Sequence, residues 1–483
     1  MPKNNVVVIG AGPAGLAVGL SLARRGRPVT ILERDLERPP DNPADAFEHW
    51  ARPGVSHHRL PHSLLGRTRR TLREYAPDVL EAMLHAGAWE NDFGARLLRD
   101  AVAPGDEDLV AIHCRRPFFE ALLRRAAQDE PLVSIVSGAK VEGLTLQPDG
   151  TAAPRVAGVR LHDQTVLDAD VVVDAGGRRS PIRSSLKQAG VPMPTAQTEP
   201  CGLVYYCRYY RLADGTDYPA WTGVFGPSGT TECVRFSIFF GDNQTFAIVL
   251  GVPTSVHSFR ALAREPIYTM AVSQFKALAP FIHPTVAEPI TDVVAFGSLQ
   301  NVFVPALLNG APPVRGLHFL GDAYCHTNPL FAFGLCLALD YGFRLGHIIE
   351  EHPADVVGQA LAFAEATSME AEQCFHAVAE EDRDRTLAWD GAPPSGPWLG
   401  RTFAGFVRQC AQPAVMLDPI VARAVLRRTQ LLDLPDDLMQ QEAILQRIIA
   451  LQSALPKPAP GSVPSKDELL EIVAKTTPAP AEC

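Results

Sequence analysis

Near the start of the chain, Gly10-Ala11-Gly12-Pro13-Ala14-Gly15 forms a complete G-x-G-x-x-G, with Glu33 and Arg34 a short distance behind it. Each residue type has a physical task. Gly10 permits a tight turn, Gly12 has no Cβ to hold a pyrophosphate off the backbone, and Gly15 lets a helix approach a strand. A helix starting behind the turn aims free N–H groups and a partial positive charge at the phosphates. Glu33 can accept hydrogen bonds from a ribose diol. The motif specifies a dinucleotide without choosing between FAD and NAD(P). Two histidines carry the other chemistry: His326, in Cys325-His326-Thr327-Asn328-Pro329, and His62, in Arg59-Leu60-Pro61-His62. They are the candidates for catalytic proton handling, with Arg59 and Tyr324 as assistants. Neither G-x-S-x-G nor H-E-x-x-H occurs, so no nucleophilic triad or zinc hydrolase site is expected. His57, His58 and His62 have no cysteine or carboxylate partner in the pattern, and no metal is expected.

These residues need elements to hold them. Residues 6–9 are a β-branched run that reads as a buried strand, 16–25 as a helix ended by Gly26, and 28–32 as a second strand with Glu33 at its end. Residues 64–87 follow a helical pattern, 109–113 and 133–137 read as strands, and 117–128 as an amphipathic helix with proline in its first turn. Residues 140–146, 158–162 and 165–167 suggest a small meander with a turn at 148–150. Residues 169–174 form another buried strand, running into Ala175-Gly176-Gly177-Arg178-Arg179. From 200 to 300 the pattern turns to strands rich in aromatics. On the strand at 202–212, Tyr205, Cys207 and Tyr209 share one face and Tyr206, Arg208 and Tyr210 the other. One face can cover helices while the other roofs a cavity. Residues 258–278 return to helix, and 317–320 form a last strand leading into Gly321-Asp322. A loop at 324–329 precedes an apolar helix from 330 to about 350. Helices continue from 353 to about 455, with breaks at 393–397, Pro413 and Pro435. Residues 456–464 and 476–483 are expected to be mobile. Between them Ser465 and Glu468 have capping-box spacing for one short helix.

The chain has 483 residues, 46% hydrophobic and 20% charged, with a net charge of −10. That balance fits a soluble globular protein and argues against nucleic acid or an anionic membrane as partner. The nine cysteines are scattered without a C-x-x-C, as free thiols in a reducing cytoplasm would be. No basic region precedes the first apolar run, and the apolar run at 330–339 is too short to span a bilayer. A cytoplasmic protein without stable membrane insertion is expected.

Three strand-to-turn motifs, at Gly10–Gly15, Asp174–Arg179 and Gly321–Asp322, recur far apart in the chain. In one doubly wound sheet they converge where ligands bind. On these residues the chain resembles the FAD-dependent monooxygenases of the aromatic-hydroxylase type, which are related to squalene-type epoxidases, flavin halogenases and geranylgeranyl reductases. The resemblance covers residues 1 to about 350. It implies that Gly10, Gly12, Ala14, Gly15, Glu33 and Arg34 hold the ADP part of FAD. It also implies that Arg116, in Arg116-Pro117-Phe118-Phe119-Glu120, and Gly177 contact FAD, and that Asp322 meets the ribityl chain. Pro329 and Gly334 match the loop at the flavin pyrimidine ring, and Arg59 and His62 match a segment near the flavin. His326 lies close in sequence to that contact, where it can hydrogen-bond the flavin or act as a base on a phenol or indole N–H.

The chain departs from the family at three points. Gly176-Gly177 stands where the family has Asp-Gly or Thr-Gly, which leaves the reductant as NAD(P)H acting directly or through a separate flavin reductase. Ala332-Phe333-Gly334 stands where it has Gly-x-Gly. The halogenase Trp-x-Trp-x-x-Pro signature is absent. The expected architecture is an α/β protein: a Rossmann-type FAD-binding domain (1–185 plus 300–352), a mixed-sheet substrate domain (186–299), a helical C-terminal region (353–455) and a mostly mobile tail (456–483). Tyr205, Tyr209, Arg235, Phe239 and Phe333 are the candidate substrate contacts. The expected function is oxygen insertion from O2, by hydroxylation or epoxidation through a flavin hydroperoxide, into an aromatic or polyketide-like molecule of specialised metabolism. A flavin-dependent dehydrogenase or double-bond reductase is the alternative; a halogenase and a non-enzymatic scaffold rank below it. The sequence gives no oligomeric state.

Overall fold

The computed structural model describes residues 5–98, 101–148, 153–221, 223–392, 402–455 and 459–475. A five-stranded parallel sheet carries the site, in the order Leu317–Phe319, Val171–Asp174, Val6–Ile9, Val29–Glu33, Val133–Ser137. Its three central strands are buried almost throughout, as a sheet covered on both faces requires. Val6 pairs with both Val29 and Val171, so the strand ends line up at Ile9 and Asp174. The helix Pro13–Ala23 packs on the helix Phe333–Glu351. The contact is close because a Cβ at Gly342 would lie 2.6 Å from that of Ala17, too near for any side chain.

The second unit is an antiparallel sheet in the order Ser228–Thr230, Arg235–Phe240, Thr245–Pro253, Leu203–Leu212, Ala287–Pro289, with Val294–Phe296 also paired to Leu203–Leu212. Its two faces divide as the alternation predicts. Tyr206, Tyr210, Phe236 and Ile238 pack on the helix Glu265–Ser273. Tyr205, Cys207, Ser237 and Val249 face a cavity. A three-stranded sheet of Gln197–Pro200, Gln300–Phe303 and Cys325–His326 joins residues from both sides of the boundary drawn at 299.

Several local expectations need correction. The pattern at 64–87 is two helices, Gly66–Tyr75 and Pro77–His85, because proline cannot continue a helix past Ala76. The stretch 258–278 is largely 3₁₀ at His257–Ala263 before the α-helix begins. The loop at 324–329 contains the short strand Cys325–His326. Pro413 does not break its helix: it follows a π turn, Val407–Ala411, inside a run from Phe403 to Ala414. The expected breaks at 393–397, residues 149 and 150 of the turn at 148–150, residues 456–458 and the tail at 476–483 lie outside the described residues. Ser465 and Glu468 do form a capping box: the Ser465 N–H donates to Glu468 Oε2 at 2.7 Å, and the Glu468 N–H donates to Ser465 Oγ at 3.2 Å. The helix Lys466–Lys475 buries Leu469 and Val473 against the core of the antiparallel sheet.

A 34-residue helix, Val356–Trp389, ties the two units together. At 1.5 Å per residue it is roughly 50 Å long. Among the described residues no helix is long and apolar enough to cross a membrane.

Candidate functional site

The three strand-end turns touch one another pairwise. Gly10 has φ +99°, and a Cβ there would lie 2.5 Å from the Ala175 carbonyl oxygen. Gly321 has φ +60°, and its missing Cβ would sit 3.2 Å from that of Ala14. Arg178 Nε lies 3.3 Å from Asp322 Oδ2. First turn meets second, first meets third, and second meets third. Gly12 and Gly177 in the first two turns, and Gly334 in the first turn of the helix Phe333–Glu351, have no heavy atom within 4 Å of where a Cβ would be. The helices Pro13–Ala23 and Phe333–Glu351 both begin without a side-chain cap, so their first N–H groups stay free for a ligand. Open glycines beside two uncapped helix starts fit the phosphates and ring edge of FAD. Gly15 serves packing instead, its Cβ position lying 2.0 Å from the Gly10 oxygen.

Glu33 is buried and already engaged. Its carboxylate accepts from the Ala11 N–H at 2.9 Å, from the Asp35 N–H at 3.0 Å and from Arg52. A carboxylate offers about four lone-pair sites, so roughly one is left for a ribose hydroxyl. Arg52 continues the chain of charges: its Nη1 donates to Glu120 Oε2 at 2.7 Å, and Arg116 Nε donates to Glu120 Oε1 at 2.5 Å. Burial alone would push the Glu120 carboxyl up, but Arg116 and Arg52 outweigh it and hold the group at about 2. Arg116 Nη1 lies 3.1 Å from His62 Nε2, while His62 Nδ1 lies 2.8 Å from the Leu60 carbonyl. That pairing fixes the tautomer: Nδ1 donates to the carbonyl, and Nε2 accepts from Arg116.

His62 therefore departs from the role of catalytic acid or base. Burial, and then Arg116, push it down to about 3, and both ring nitrogens are occupied. It is a neutral positioning residue for Arg116. Arg59 and Arg34 are exposed and engaged elsewhere, Arg59 with the Glu48 carbonyl at 2.9 Å and Arg34 with the Gly54 carbonyl. Among the described residues no group of three His, Cys, Asp or Glu could hold a metal.

His326 stands on the crevice side, with Nδ1 3.2 Å from the Asp322 carbonyl. Burial lowers its basicity, Asp322 raises it and Arg178 lowers it. The neutral ring keeps Nε2 as an acceptor beside the third turn. His326 lines neither of the two cavities described next. Asp174 is also turned inward, its oxygens accepting from the Gly176 N–H at 3.0 Å and the Ser180 hydroxyl at 2.7 Å.

The cavity adjoins this crevice at Pro329–Phe333. A small space of about 40 Å³ has Pro329, Leu60 and Tyr205 in its wall. A larger one of about 170 Å³ is lined by Phe331, Ala332 and Phe333 and by helices of the C-terminal region. Arg235, Phe239 and Leu330 border both. Of the candidate substrate contacts, Tyr205, Arg235, Phe239 and Phe333 reach these spaces. Tyr209 does not; its ring packs on Phe47 at 4.7 Å. The Tyr205 hydroxyl donates to Asn328 Oδ1 at 2.6 Å, so Tyr205 offers its ring rather than its proton.

Asn328, which the sequence did not single out, is the clamp of the loop. Its amide nitrogen donates to Asp382 at 2.7 Å, its backbone N–H donates to Asn301 at 2.6 Å, and its Oδ1 also accepts from the Leu330 N–H at 3.1 Å. This network hangs the Pro329 turn on the long C-terminal helix. Arg52, Arg178, Glu381, Arg408 and Arg428 were likewise missed as site residues. Only spatial neighbours identify them: Arg52 lies in a polar loop, and the last three lie on helices without a motif.

Comparison with known proteins agrees with this geometry. Residues 3–49 match the family model for an FAD binding domain. The chain is 26% identical over 466 residues to Protein Rv3254 of Mycobacterium tuberculosis, covering 89% of this chain and 90% of that one. It is 23% identical to squalene monooxygenase of Mus musculus over 69% of this chain, and spans about half (52%) of that protein. Among solved structures, flavin-dependent brominase Bmp2 superposes with a TM-score of 0.59 at 16% identity, over 94% of this chain and 100% of that one. PqsL, a probable FAD-dependent monooxygenase from Pseudomonas aeruginosa, gives 0.54 at 16% identity, over 81% and 99%. The chain thus carries an FAD-binding domain at its start and shares its fold with flavin-dependent monooxygenases and halogenases.

Proposed function

We propose that the protein inserts one oxygen atom from O2, by hydroxylation or epoxidation, into an aromatic or polyketide-like small molecule of specialised metabolism. One observation carries this reading: three strand-end turns meet, with bare Gly12 and Gly177 in two of them, beside a cavity that opens against the turn Pro329–Phe333. FAD, when bound, supplies the electron transfer and oxygen activation. The protein's part is position and exclusion of water. Gly12 and the N–H groups of Pro13–Ala23 would face the pyrophosphate, Glu33 the ribose and Asp322 the ribityl chain. Arg116, held by Glu120 and His62, would reach toward the flavin. The uncapped start of Phe333–Glu351 would favour negative charge on the reduced ring, and His326 Nε2 would accept a hydrogen bond there. The phenyl rings of Phe239, Phe331 and Phe333 keep the reacting space dry.

Squalene monooxygenase, by its name, oxygenates an apolar substrate, which supports the reading. The Bmp2 likeness is one of fold, and this chain lacks the Trp-x-Trp-x-x-Pro signature. The eight described cysteines are free, in keeping with a cytoplasmic setting. NAD(P)H is the reductant, directly or through a separate flavin reductase. The test is incubation of the FAD-loaded chain with labelled dioxygen, NADH or NADPH, with and without a flavin reductase, and a panel of aromatic and polyketide acids. The expected result is a product carrying one labelled oxygen atom. A desaturated or reduced product formed without O2 would replace this reading with a dehydrogenase or double-bond reductase.

A further inference from the structure

The wall of the larger cavity carries three guanidiniums and one carboxylate. Arg235, Arg408, Arg428 and Glu381 line the larger space. Arg408 donates to Glu381 at 2.7 Å and to Asp384 behind it. Both of those carboxylates pair with Arg408. Arg235 and Arg428 have no carboxylate within 4 Å among the described residues. Arg235 Nε is shut away from solvent without a hydrogen-bond partner, and its Nη1 makes a long 3.4 Å contact with Thr230 Oγ1. Arg428 donates Nε to the Pro435 carbonyl at 2.9 Å, which neutralises nothing. Burial lowers the basicity of both, against the pull of Glu381 and, at Arg428, also of Asp436 and Glu380, yet a guanidinium stays protonated in a protein. Most fully buried arginines away from the cavity have a carboxylate partner, although Arg124 donates only to the Ser137 hydroxyl at 3.0 Å. Arg115 is paired with Asp242 at 2.7 Å, Arg52 with Glu120 at 2.7 Å, and Arg385 with Asp382 at 2.5 Å.

Arg235 and Arg428 are half-buried, and a guanidinium drawn partly out of water without a counter-charge is costly. Such a residue in a cavity wall is accounted for when a ligand completes it. We infer that Arg235 and Arg428 form a receptor for a single monoanionic group of the carboxylate class, so that the substrate is an apolar or aromatic body with one negative end. The forked guanidinium of Arg235 suits a planar carboxylate. Arg235 sits on the border between the two spaces together with Phe239 and Leu330. A ligand anchored there by its charge lays its apolar part along those two side chains toward Pro329.

This deepens the proposed oxygenation by naming its substrate class, and it rests on that reading for the word substrate alone. The test is equilibrium binding to the FAD-loaded full chain, followed by thermal shift and calorimetry. Benzoate and 2-naphthoate are compared with benzamide and 2-naphthamide, which keep the shape and lose the charge. A charge-assisted hydrogen bond is worth about 1.5–3 kcal/mol, so at least one acid should bind about tenfold or more tightly than its amide. Arg235→Gln and Arg428→Gln should each erase that preference and leave the amide and the yellow colour unchanged. Equal binding of acid and amide, failure of both acids to bind, or an undiminished preference in both folded variants would overturn the inference. The acid–amide comparison needs no variant, so misfolding of either one leaves it decisive. A chain that prefers acids but never oxygenates them would sink the proposed activity and keep the receptor.

Discussion

The crevice and the cavity are built on opposite electrostatic plans. Along the crevice, charges are closed into a chain: Glu33 to Arg52, Arg52 to Glu120, Glu120 to Arg116, Arg116 to His62. In the cavity the chain is left open at Arg235 and Arg428. A region that receives the same molecule in every catalytic cycle can be completed by the fold itself, with bare glycines as its sockets. A region that receives and releases a reactant keeps part of its polar balance for that reactant. Asn328 stands on the border, clamping the Pro329 turn from the cavity side.

Breaking the closed chain should cost most. Glu120→Gln removes the carboxylate between two buried arginines, and losing one partner of such a group costs about 3–5 kcal/mol. Chemical denaturation should show that loss, with weaker FAD retention. The same residue sets an acid limit. Its folded value of about 2 lies below the ordinary 4.5. Its stabilisation is therefore full above about pH 4.5, falls as pH drops, and is gone below about 2. Glu120→Gln should flatten that part of the stability-versus-pH curve. A wild-type curve already flat between those values would contradict the ionised, closed chain.

Asn328→Ala tests the border. It leaves the Tyr205 hydroxyl and Asp382 short of partners in a buried setting, at about 1–3 kcal/mol. It should loosen the Pro329 turn and weaken acid binding, read by calorimetry, more than it weakens FAD. An equal loss for both ligands would mean that Asn328 serves the whole fold. The smallest change acts on backbone strain. Ala332 has φ +57° at the start of Phe333–Glu351, in the left-handed region that costs an L-residue about 1–2 kcal/mol. Ala332→Gly should raise stability by about 1 kcal/mol, seen as a higher Tm. A lower Tm would show that the alanine methyl packs usefully against the cavity.

The crevice was legible in the sequence because its parts are local and period-bound. A β-branched run, a glycine turn and a helix announce Val6–Ile9, Gly10–Gly15 and Pro13–Ala23 without help from the rest of the chain. The two-residue alternation likewise sorted Tyr205 and Cys207 from Tyr206 and Tyr210. What escaped depends on partners far away in sequence. Histidine type suggested proton transfer at His62, but the Arg116 side chain and the Leu60 carbonyl decide its tautomer and charge. Arg408 and Arg428 sit in helices whose sequence shows only amphipathicity. Their place in the cavity wall follows from how the C-terminal helices lie over the antiparallel sheet. Pro413 misled because a π turn ahead of it absorbs the missing N–H.

The central claim is that the three turns meet around FAD, and Gly12 tests it most directly. Gly12 has an ordinary φ of −86° and open space where a Cβ would go, so Gly12→Val should fold with an unchanged Tm in the absence of ligand. Titration of ligand-free wild-type and Gly12→Val protein with FAD, followed by flavin absorbance, separates binding from folding. The account predicts saturable binding by the wild type and a loss of at least about tenfold in the variant, or 1.4 kcal/mol. Equal FAD affinity in the two proteins, or none in the wild type, would contradict it.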